Sequence, residues 1–271
     1  MSDLATSNRL LVLAPHPDDE VIGAGGLMQR VLARGGEVRV VFITSGESNP
    51  WPQRAQKRKW RLSVEDQEAW GERRRGEAKA SLQALGVPEE AATFLHFRDG
   101  QIAALARKND LRLTESLRAA IFEFQPSLLV SPSAQDLHSD HRAAAWYLHQ
   151  AVRGVGEGAP EIVTYVVHGE GSSSRLQASL RLSERERLRK RTAIECHQTQ
   201  LILSRERFLA YSRPTEEFFK SEFDLVCTES RTRERAGAFR HSCRVLLGRS
   251  SPPRDDEPEP AADPATDPDV R

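Results

Sequence analysis

Two short clusters of histidine and carboxylate residues carry the chemistry of this sequence. Imidazole and carboxylate groups are typical ligands of catalytic zinc, which takes three protein ligands and keeps a position open for water. The clusters therefore predict a metal centre that can activate a water molecule. The first cluster reads H-P-D-D-E and the second H-S-D-H, and their chemically active members are His16, Asp18, Asp19, Glu20, His138, Asp140 and His141.

The adjacent carboxylates of the first cluster can divide two tasks between them. Neighbouring side chains in a tight turn point in different directions, so that one can bind a metal while the other faces the bound water. Metal binding lowers the pKa of water towards neutrality, and a nearby carboxylate can then accept its proton. The metal and a protonated histidine could share the negative charge that develops on an attacked amide carbonyl. These residue types supply the parts for metal-assisted amide hydrolysis.

Apolar and amphipathic segments alternate along the chain and predict the elements that position these clusters. The alternation indicates an α/β fold, a Rossmann-like and mostly parallel sheet with helices on both faces. Ligands of such sheets lie beyond the carboxyl ends of the strands, and both clusters directly follow predicted strands. Strands are predicted at 9–14, 37–44, 93–97, 128–131 and 162–167, and helices at 21–32, 66–85, 111–124, 143–152 and 183–200.

The rest of the sequence bears on the division into domains and on the cellular compartment. One domain over residues 1–248 and a disordered tail rich in Pro, Asp and Glu over 249–271 are expected. The three cysteines have no C-x-x-C spacing, which argues against a disulfide framework. No apolar run approaches the roughly 20 residues of a membrane helix, and the N-terminus lacks a signal-peptide pattern. A cytoplasmic protein with at most peripheral membrane contact is expected.

The order and spacing of the motifs resemble those of a known enzyme family. A-P-H-P-D-D-E at residues 14–20, followed by H-S-D-H at 138–141, is similar to the signature of the LmbE/PIG-L-like zinc-dependent N-deacetylases. Between and after them stand T-S-G-E, R-R-G-E-A, L-G-V, F-R-D-G and K-R-T-A-I-E-C-H-Q-T-Q. The resemblance implies removal of an acetyl group from a glycoconjugate or glycolipid that contains N-acetylglucosamine.

The same resemblance implies a role for each residue of the two motifs. His16, Asp19 and His141 would bind Zn²⁺, although Fe²⁺ could occupy the same ligands. Asp18 would be the general base and afterwards the acid that protonates the leaving amine. His138 would stabilise the oxyanion.

Four further residues are expected around this centre. The resemblance implies that Asp140 orients a histidine and that Arg74 and Asp99 contact the substrate, with either arginine neighbour of Arg74 as an alternative. His168 follows a predicted strand and is a candidate wall of the pocket. The expected partner is a small molecule or glycolipid with an amino sugar, and not a nucleic acid.

A long connection over residues 47–71 combines three tryptophans with basic residues. Loops of this length in a compact domain are often lids or binding elements. Tryptophan faces suit sugar surfaces, and arginine and lysine suit phosphate. The connection is therefore either a mobile lid that holds a sugar carrying an anionic group, or a solvated basic helix whose tryptophans pack on the sheet. The residues concerned are Trp51, Arg54, Lys57, Arg58, Lys59, Trp60, Arg61 and Trp70.

Other functions remain open at this point. The same metal chemistry would hydrolyse a different amide, such as that of a thiol–sugar conjugate. The basic connection with its tryptophans could also belong to a protein that binds single-stranded nucleic acid. That class needs no metal cluster and usually has a positive net charge, whereas this chain has a net charge of zero. A phosphoesterase with two metal ions would need more ligands than the two clusters supply.

Overall fold

The described residues form a single mixed sheet with helices on both faces. The computed structural model describes residues 4–153 and 159–221, so the predicted tail and the domain boundary at 248 lie outside them. Within these ranges no helix has both the length and the apolar character needed to cross a membrane. The strands are β1 (Arg9–Ala14), β2 (Glu37–Thr44), β3 (Ala92–Phe97), β4 (Leu128–Pro132), β5 (Glu161–Tyr165), β6 (Leu176–Arg181) and β7 (Thr215–Lys220). The helices are α1 (Asp19–Ala33), α2 (Pro50–Lys57), α3 (Val64–Leu85), α4 (Ile102–Arg107), α5 (Arg112–Phe124), α6 (Ser139–Val152), α7 (Glu184–Cys196), α8 (Gln198–Leu201) and α9 (Arg205–Leu209).

The order of the strands creates a crevice in the middle of the sheet. The order is β3-β2-β1-β4-β5-β7-β6; β1 to β5 are parallel, and β7 is antiparallel to both of its neighbours. The chain builds outward from β1 through β2 and β3, and then returns to place β4 on the other side of β1. Ligands of α/β sheets bind at such a reversal. The predicted Rossmann-like α/β fold is confirmed.

Two hydrophobic cores hold the sheet between its helices. Successive side chains of a strand point to opposite faces, so Leu10 and Val12 of β1 pack with α1, α3 and α7, while Leu11 and Leu13 pack with α4, α5 and α6. Neither face of a strand covered on both sides meets solvent, which explains the continuous apolar run of β1.

The structure departs from the sequence-based expectation mainly after residue 170. The strands β6 and β7 were not predicted, because each has exposed and buried positions mixed along it. The helix predicted over 183–200 ends at Cys196, and a separate short helix begins at Gln198. The strand predicted over 162–167 ends at Tyr165. Only about a third of the predicted 47–71 connection is irregular, since it contains α2 and the start of α3.

A buried ion pair between Glu216 of β7 and Lys190 of α7 holds α1 against these two elements. The helix α1 is interrupted at Ala24, which has φ −141° and ψ 15°. Directly after this kink, the amides of Gly26 and Leu27 donate hydrogen bonds of 2.6 and 3.0 Å to the carboxylate of Glu216. The ammonium group of Lys190 donates to the same carboxylate at 2.6 Å. The position of α1, whose first turn carries catalytic candidates, therefore depends on β7 and α7.

Replacing Glu216 with alanine is expected to destabilise the fold strongly. The change leaves Lys190 buried without its partner, which typically costs about 3–5 kcal/mol. The double replacement Glu216→Ala with Lys190→Met should cost less, because it removes the unpaired charge. Denaturant unfolding would measure both, with Glu217→Ala, an exposed neighbour, as the control. Equal midpoints for Glu216→Ala and the control would contradict the expectation.

Candidate metal centre and active-site cleft

The strand order brings the two predicted clusters into contact. The first cluster follows β1 and the second follows β4, and these strands are adjacent parallel partners. The rings of His16 and His141 lie with centroids 5.5 Å apart, and His138 lies 4.9 Å from His16 and 5.0 Å from His141. The two motifs, more than a hundred residues apart in the sequence, therefore form one site.

A strained turn carries the first cluster. Asp18 has φ 129°, which is in the region that favours glycine. Such a conformation costs on the order of 1–3 kcal/mol and persists only where the surroundings enforce it. Here the amide of Asp18 donates to Oε2 of Glu20 at 2.8 Å, and the other oxygen of Glu20 lies 3.3 Å from Nε2 of the buried His197. Glu20, which the sequence analysis left without a role, helps to hold this turn.

The carboxylate of Asp19 lies between the two histidines that are predicted to be metal ligands with it. Oδ2 of Asp19 lies 3.1 Å from Nδ1 of His16 and 3.1 Å from Nε2 of His141. Two ligand atoms at zinc bond lengths in a tetrahedral centre are about 3.3 Å apart, so this spacing suits one small cation. The ligand atoms of His16, His138 and His141 also lie within 4.8 Å of one another.

The buried charges around these histidines also favour a cation. Burial lowers the pKa of His141, but Asp19 and Asp136 outweigh it and raise the pKa to about 9. Burial likewise opposes protonation of His16, whose pKa is nevertheless raised well above 6.5 by Asp99, Asp140 and Asp19. The carboxylates thus require positive charge at this place. A divalent cation would supply it in exchange for the two protons.

The state of the His141 ring agrees with this interpretation. Its side chain is completely buried, and each ring nitrogen lies 3.1 Å from a carboxylate oxygen. Within the described residues neither nitrogen has a hydrogen bond of acceptable angle. With Asp136 beside Nδ1, the other nitrogen, Nε2, lies beside Asp19 and can hold a metal together with it, and the donor set therefore fits one.

Arg74 is bound to the candidate base. Its Nη2 lies 3.0 Å from Oδ2 of Asp18 and also donates to the carbonyl oxygen of Pro17. Its Nη1 donates to the carbonyl oxygen of Gly46 at 2.9 Å. Burial raises the pKa of Asp18 to about 6, although the guanidinium of Arg74 opposes the rise. Arg74 is the buried member of its arginine triplet. Its direct contact is with Asp18, so any contact with a substrate remains a prediction.

Asp99 and Asp140 both lie beside Nε2 of His16, and the role predicted for Asp140, orienting a histidine, stays a prediction. Oδ1 of Asp99 lies 3.1 Å from Nε2 of His16, whereas the nearest oxygen of Asp140 lies 3.8 Å from that nitrogen. Asp140 instead accepts hydrogen bonds from the amides of Gly100 at 2.9 Å and Ala103 at 3.2 Å. Asp99 is therefore in the better position to orient His16, while its predicted contact with sugar hydroxyls stays a prediction.

Asp136 is a site residue that the sequence analysis missed. Its Oδ2 lies 3.1 Å from Nδ1 of His141 and accepts the amide hydrogens of Val167 at 2.9 Å and His168 at 3.1 Å. Its Oδ1 accepts the amide of His138 at 2.8 Å. One buried carboxylate therefore joins the start of α6, which carries His138 and His141, to the segment after β5 that carries His168. The signal was an aspartate two residues before the second motif, in the same loop.

His138 is a hydrogen-bond donor without a positive charge. Burial, together with the nearby His16 and His141, lowers its pKa to about 4. Its Nδ1 accepts the amide of Asp140 at 3.2 Å, so the proton of the neutral ring is on Nε2. A neutral imidazole in this tautomer can still donate one hydrogen bond into the site.

A cleft of about 370 Å³ opens beside the centre. Its volume lies in the range of about 300–1,000 Å³ that is typical of small-molecule sites. The far wall comes from α8, α9 and their flanks, the region in which the sequence pattern was weakest. The predicted residues in its lining are His16, Asp18, Asp19, Arg74, Asp99, His138 and His168, and the additional ones include Asn49, Gln200, Leu203, Ser204, Arg207, Phe208 and Tyr211.

Comparison with known proteins decides the family. The family described as "PIG-L: GlcNAc-PI de-N-acetylase" matches residues 11–152, which is just over half of the chain. The chain belongs to the PIG-L family. The matched stretch contains both motifs of the centre, from β1 to the end of α6.

The PIG-L relatives with curated names are deacetylases. A 1D-myo-inositol 2-acetamido-2-deoxy-alpha-D-glucopyranoside deacetylase of Mycobacterium sp. (strain KMS) is 34% identical over 157 residues, which cover 52% of this chain and 48% of that protein. The chain therefore spans about half the length of this curated relative.

Solved structures share the fold at low sequence identity. The N,N'-diacetylchitobiose deacetylase of Pyrococcus horikoshii has a TM-score of 0.56 at 23% identity, covering 78% of this chain and 83% of that one. The 4-carboxy-2-hydroxymuconate hydratase GalB of Pseudomonas putida has a TM-score of 0.62 at 20% identity, covering 80% and 97%. Because a hydratase shares it, the PIG-L fold alone does not define the reaction.

A short helix, α2, lies between β2 and α3 in the connection that contains the tryptophans. Trp70 is buried, while Trp51 and Trp60 are 58% and 73% exposed. The basic-helix interpretation is thus right about α2 but wrong about the packing of two of the three tryptophans. Whether the segment moves as a lid remains a prediction.

Proposed function

We propose that this chain is a zinc-dependent hydrolase that removes the N-acetyl group from an N-acetylglucosamine-containing conjugate, releasing acetate and a free amine. The observation that carries the proposal is the contact of Asp19 Oδ2 with both His16 and His141, with Asp18 as the preceding residue. The names of the PIG-L family and of its mycobacterial relative support the substrate class.

The residues that would hold the metal are His16, Asp19 and His141. Nitrogen and carboxylate ligands without thiolate suit zinc, and they also suit Fe²⁺. When bound, the metal would supply Lewis acidity to the amide carbonyl and lower the pKa of a water molecule. Asp99 beside His16 and Asp136 beside His141 would fix the directions of the two rings.

Asp18 and His138 would perform the proton transfers and the charge stabilisation. Oδ2 of Asp18 is occupied by Arg74, which leaves Oδ1 to accept a proton from the attacking water and to return it to the leaving nitrogen. His138 would donate from Nε2 to the oxygen of the attacked carbonyl, where negative charge develops. Its donation requires no protonation, because the neutral ring already has its hydrogen on that nitrogen.

Acetate release from a panel of N-acetylglucosamine conjugates tests the proposed function. The panel contains the free sugar, a nucleotide sugar, an inositol-linked sugar and a lipid-linked sugar, each incubated with metal-loaded protein. Release from at least one member is expected, and none from the Asp18→Asn variant. Bound metal without release from any member would contradict the substrate class and favour a different amide, such as that of a thiol–sugar conjugate.

Replacing Gly46 with alanine should reduce the deacetylation rate through Arg74. Gly46 has φ +64°, and an added Cβ would lie 1.8 Å from Nη1 of Arg74, so the arginine would have to leave Asp18. Displacement of a positioned group by about 1 Å can cost about a hundredfold in rate. Gly76→Ala is the control, because its Cβ would meet no atom within 4 Å. Unchanged kcat/KM in Gly46→Ala would show that the contact between Arg74 and Asp18 is dispensable.

A further inference from the structure

A strongly basic surface borders the cleft, outside the reaction machinery described above. We define the α2 surface as the exposed side chains of residues 50–62, which cover α2 and the connection to α3. This stretch holds five basic residues and no acidic one, although the chain as a whole has a net charge of zero. The basic residues are Arg54, Lys57, Arg58, Lys59 and Arg61.

Most of this positive charge is not neutralised by neighbouring carboxylates. Asp66 of α3 binds Lys57 at 2.5 Å and lies 3.6 Å from Lys59, whose side chain is 59% exposed. Arg58 and Arg61 are exposed. Among residues 4–153 and 159–221, no carboxylate forms an ion pair with either of these two arginines. The α2 surface is therefore attractive to a polyanion or to an anionic surface.

Two exposed tryptophans stand among these charges in a fixed arrangement. The guanidinium carbon of Arg54 lies 5.2 Å from the ring centroid of Trp51 and 4.8 Å from that of Trp60. Cation–π contacts of this length hold both indoles against the arginine. More than half of each indole residue remains exposed. The folded chain thus presents a pair of aromatic rings to the outside.

The α2 surface lies at the mouth of the cleft. Asn49 caps α2 by accepting the amide of Trp51 at 3.3 Å, and it also lines the cleft. The helix α2 packs against α8. The residues that follow α8 are Ile202 and Leu203, which are 37% and 58% exposed, and Leu203 also lines the cleft. The segments that begin at these two cleft residues therefore carry indole rings, aliphatic side chains and basic residues.

This combination fits an anionic lipid surface better than a nucleic acid. Tryptophan favours the interface between lipid and water, and basic side chains are attracted to anionic lipid headgroups. Aliphatic side chains such as Ile202 and Leu203 gain by entering lipid. Single-stranded nucleic acids instead need free aromatic faces on which bases stack, whereas Arg54 covers one face of both indoles.

We propose that the α2 surface, together with Ile202 and Leu203, docks this protein on an anionic membrane with the mouth of the cleft facing the lipid. Docking would then serve the reaction by bringing the cleft to the lipid surface, and this second statement rests on the proposed function. Docking at the rim would place a headgroup sugar at the cleft without removing its lipid from the membrane.

Vesicle binding tests the docking without any reaction. The full chain is mixed with vesicles of phosphatidylcholine, or of phosphatidylcholine and phosphatidylglycerol in equal amounts. Binding to the anionic vesicles only is expected, and Asp18→Asn should bind equally well. Removing the charge of Arg58, Lys59 and Arg61 by glutamine replacement should weaken binding about tenfold to a hundredfold. The matched control removes three exposed charges elsewhere, with Lys108→Gln, Arg185→Gln and Arg189→Gln.

Each result has a definite meaning. No binding of the unaltered protein to anionic vesicles, or equal loss in the control triple variant, would overturn the docking. Preferential binding to a random single-stranded oligonucleotide that displaces the vesicles would assign the surface to nucleic acid and overturn it too. Trp51→Ala with Trp60→Ala should also weaken vesicle binding, because it removes the two exposed indoles that would enter the lipid–water interface. Since both residues are exposed, the variant is expected to fold.

A second measurement separates the docking from the proposed function. The glutamine triple variant should hydrolyse a soluble N-acetyl sugar as fast as the unaltered protein, but a vesicle-borne sugar at least about tenfold more slowly at low substrate. Equal rates on the vesicle-borne sugar would overturn the statement that docking serves the reaction. Vesicle binding without hydrolysis of any sugar would contradict the proposed function and still support the docking.

Discussion

Replacing Asp18 with asparagine should lower acetate release at least about a hundredfold while the protein keeps its metal. A general base contributes about 10²- to 10⁴-fold to a rate, and an amide cannot accept the proton. Asparagine has the same shape, and its side-chain oxygen can still accept the hydrogen bond of Arg74 that now spans 3.0 Å. The three proposed ligands are unchanged by the substitution. The loss should therefore appear in kcat with little effect on metal content.

Metal content and kinetics measured on the same samples check this expectation. Asp110→Asn is the control, because Asp110 lies before α5, is bound to Arg112 and does not line the cleft. A variant that retains more than a tenth of the activity would exclude Asp18 as the base. Loss of metal together with activity would show that Asp18 is a ligand instead.

The backbone at Asp18 gives an independent reason to expect a chemical role. A residue other than glycine at φ 129° is strained. The buried side chains of Glu20 and Arg74 hold it there by hydrogen bonds to its amide and its carboxylate. A glycine would adopt the turn without this cost, but it has no carboxylate. The position therefore keeps an aspartate at the expense of local stability, which is typical of a residue needed for chemistry.

The parts of the fold that the sequence predicted are those with strong local patterns. The strand β1 is apolar throughout because both of its faces are buried, and the motif that follows it could be placed at a carboxyl end on that basis alone. The adjacency of β1 and β4 was not predicted, and it is the strand order of the structure that shows it. By contrast, β6 shows only one buried residue, Ala178, in six positions. Such a strand is defined by pairing with β7, which a local pattern does not reveal.

The site shows the same division between local and tertiary information. The residues of the two motifs could be named from the sequence because their types and spacing are unusual. Asp136 could not be distinguished from a loop aspartate, since its contacts depend on how β4 and β5 end beside each other. Arg74 could not be separated from its two arginine neighbours until the packing of α3 left it alone buried. The roles proposed for these residues remain predictions that substitutions can test.

Replacing Asp136 with alanine should weaken metal binding about tenfold to a hundredfold. Carboxylates that orient a metal-binding histidine typically have effects of this size. Oδ2 of Asp136 is the oxygen nearest to Nδ1 of His141, at 3.1 Å, and it also binds the amides of Val167 and His168. Its removal would free the ring to rotate and leave three backbone amides, those of His138, Val167 and His168, without this acceptor. Asparagine would restore one oxygen without the charge, so its affinity should fall between those of alanine and the unaltered protein.

Competition with a chelator at constant pH measures this affinity directly and needs no substrate. Gln135→Ala is the matched control, because Gln135 precedes Asp136 in the same loop and is exposed. Thermal unfolding with and without metal separates the two effects of Asp136→Ala. Lost orientation of His141 lowers only the stabilisation that added metal confers, whereas the three unpaired amides lower stability in both conditions. If the variant binds metal as tightly as the control and unfolds earlier in both conditions, Asp136 supports the loop but does not orient the ligand.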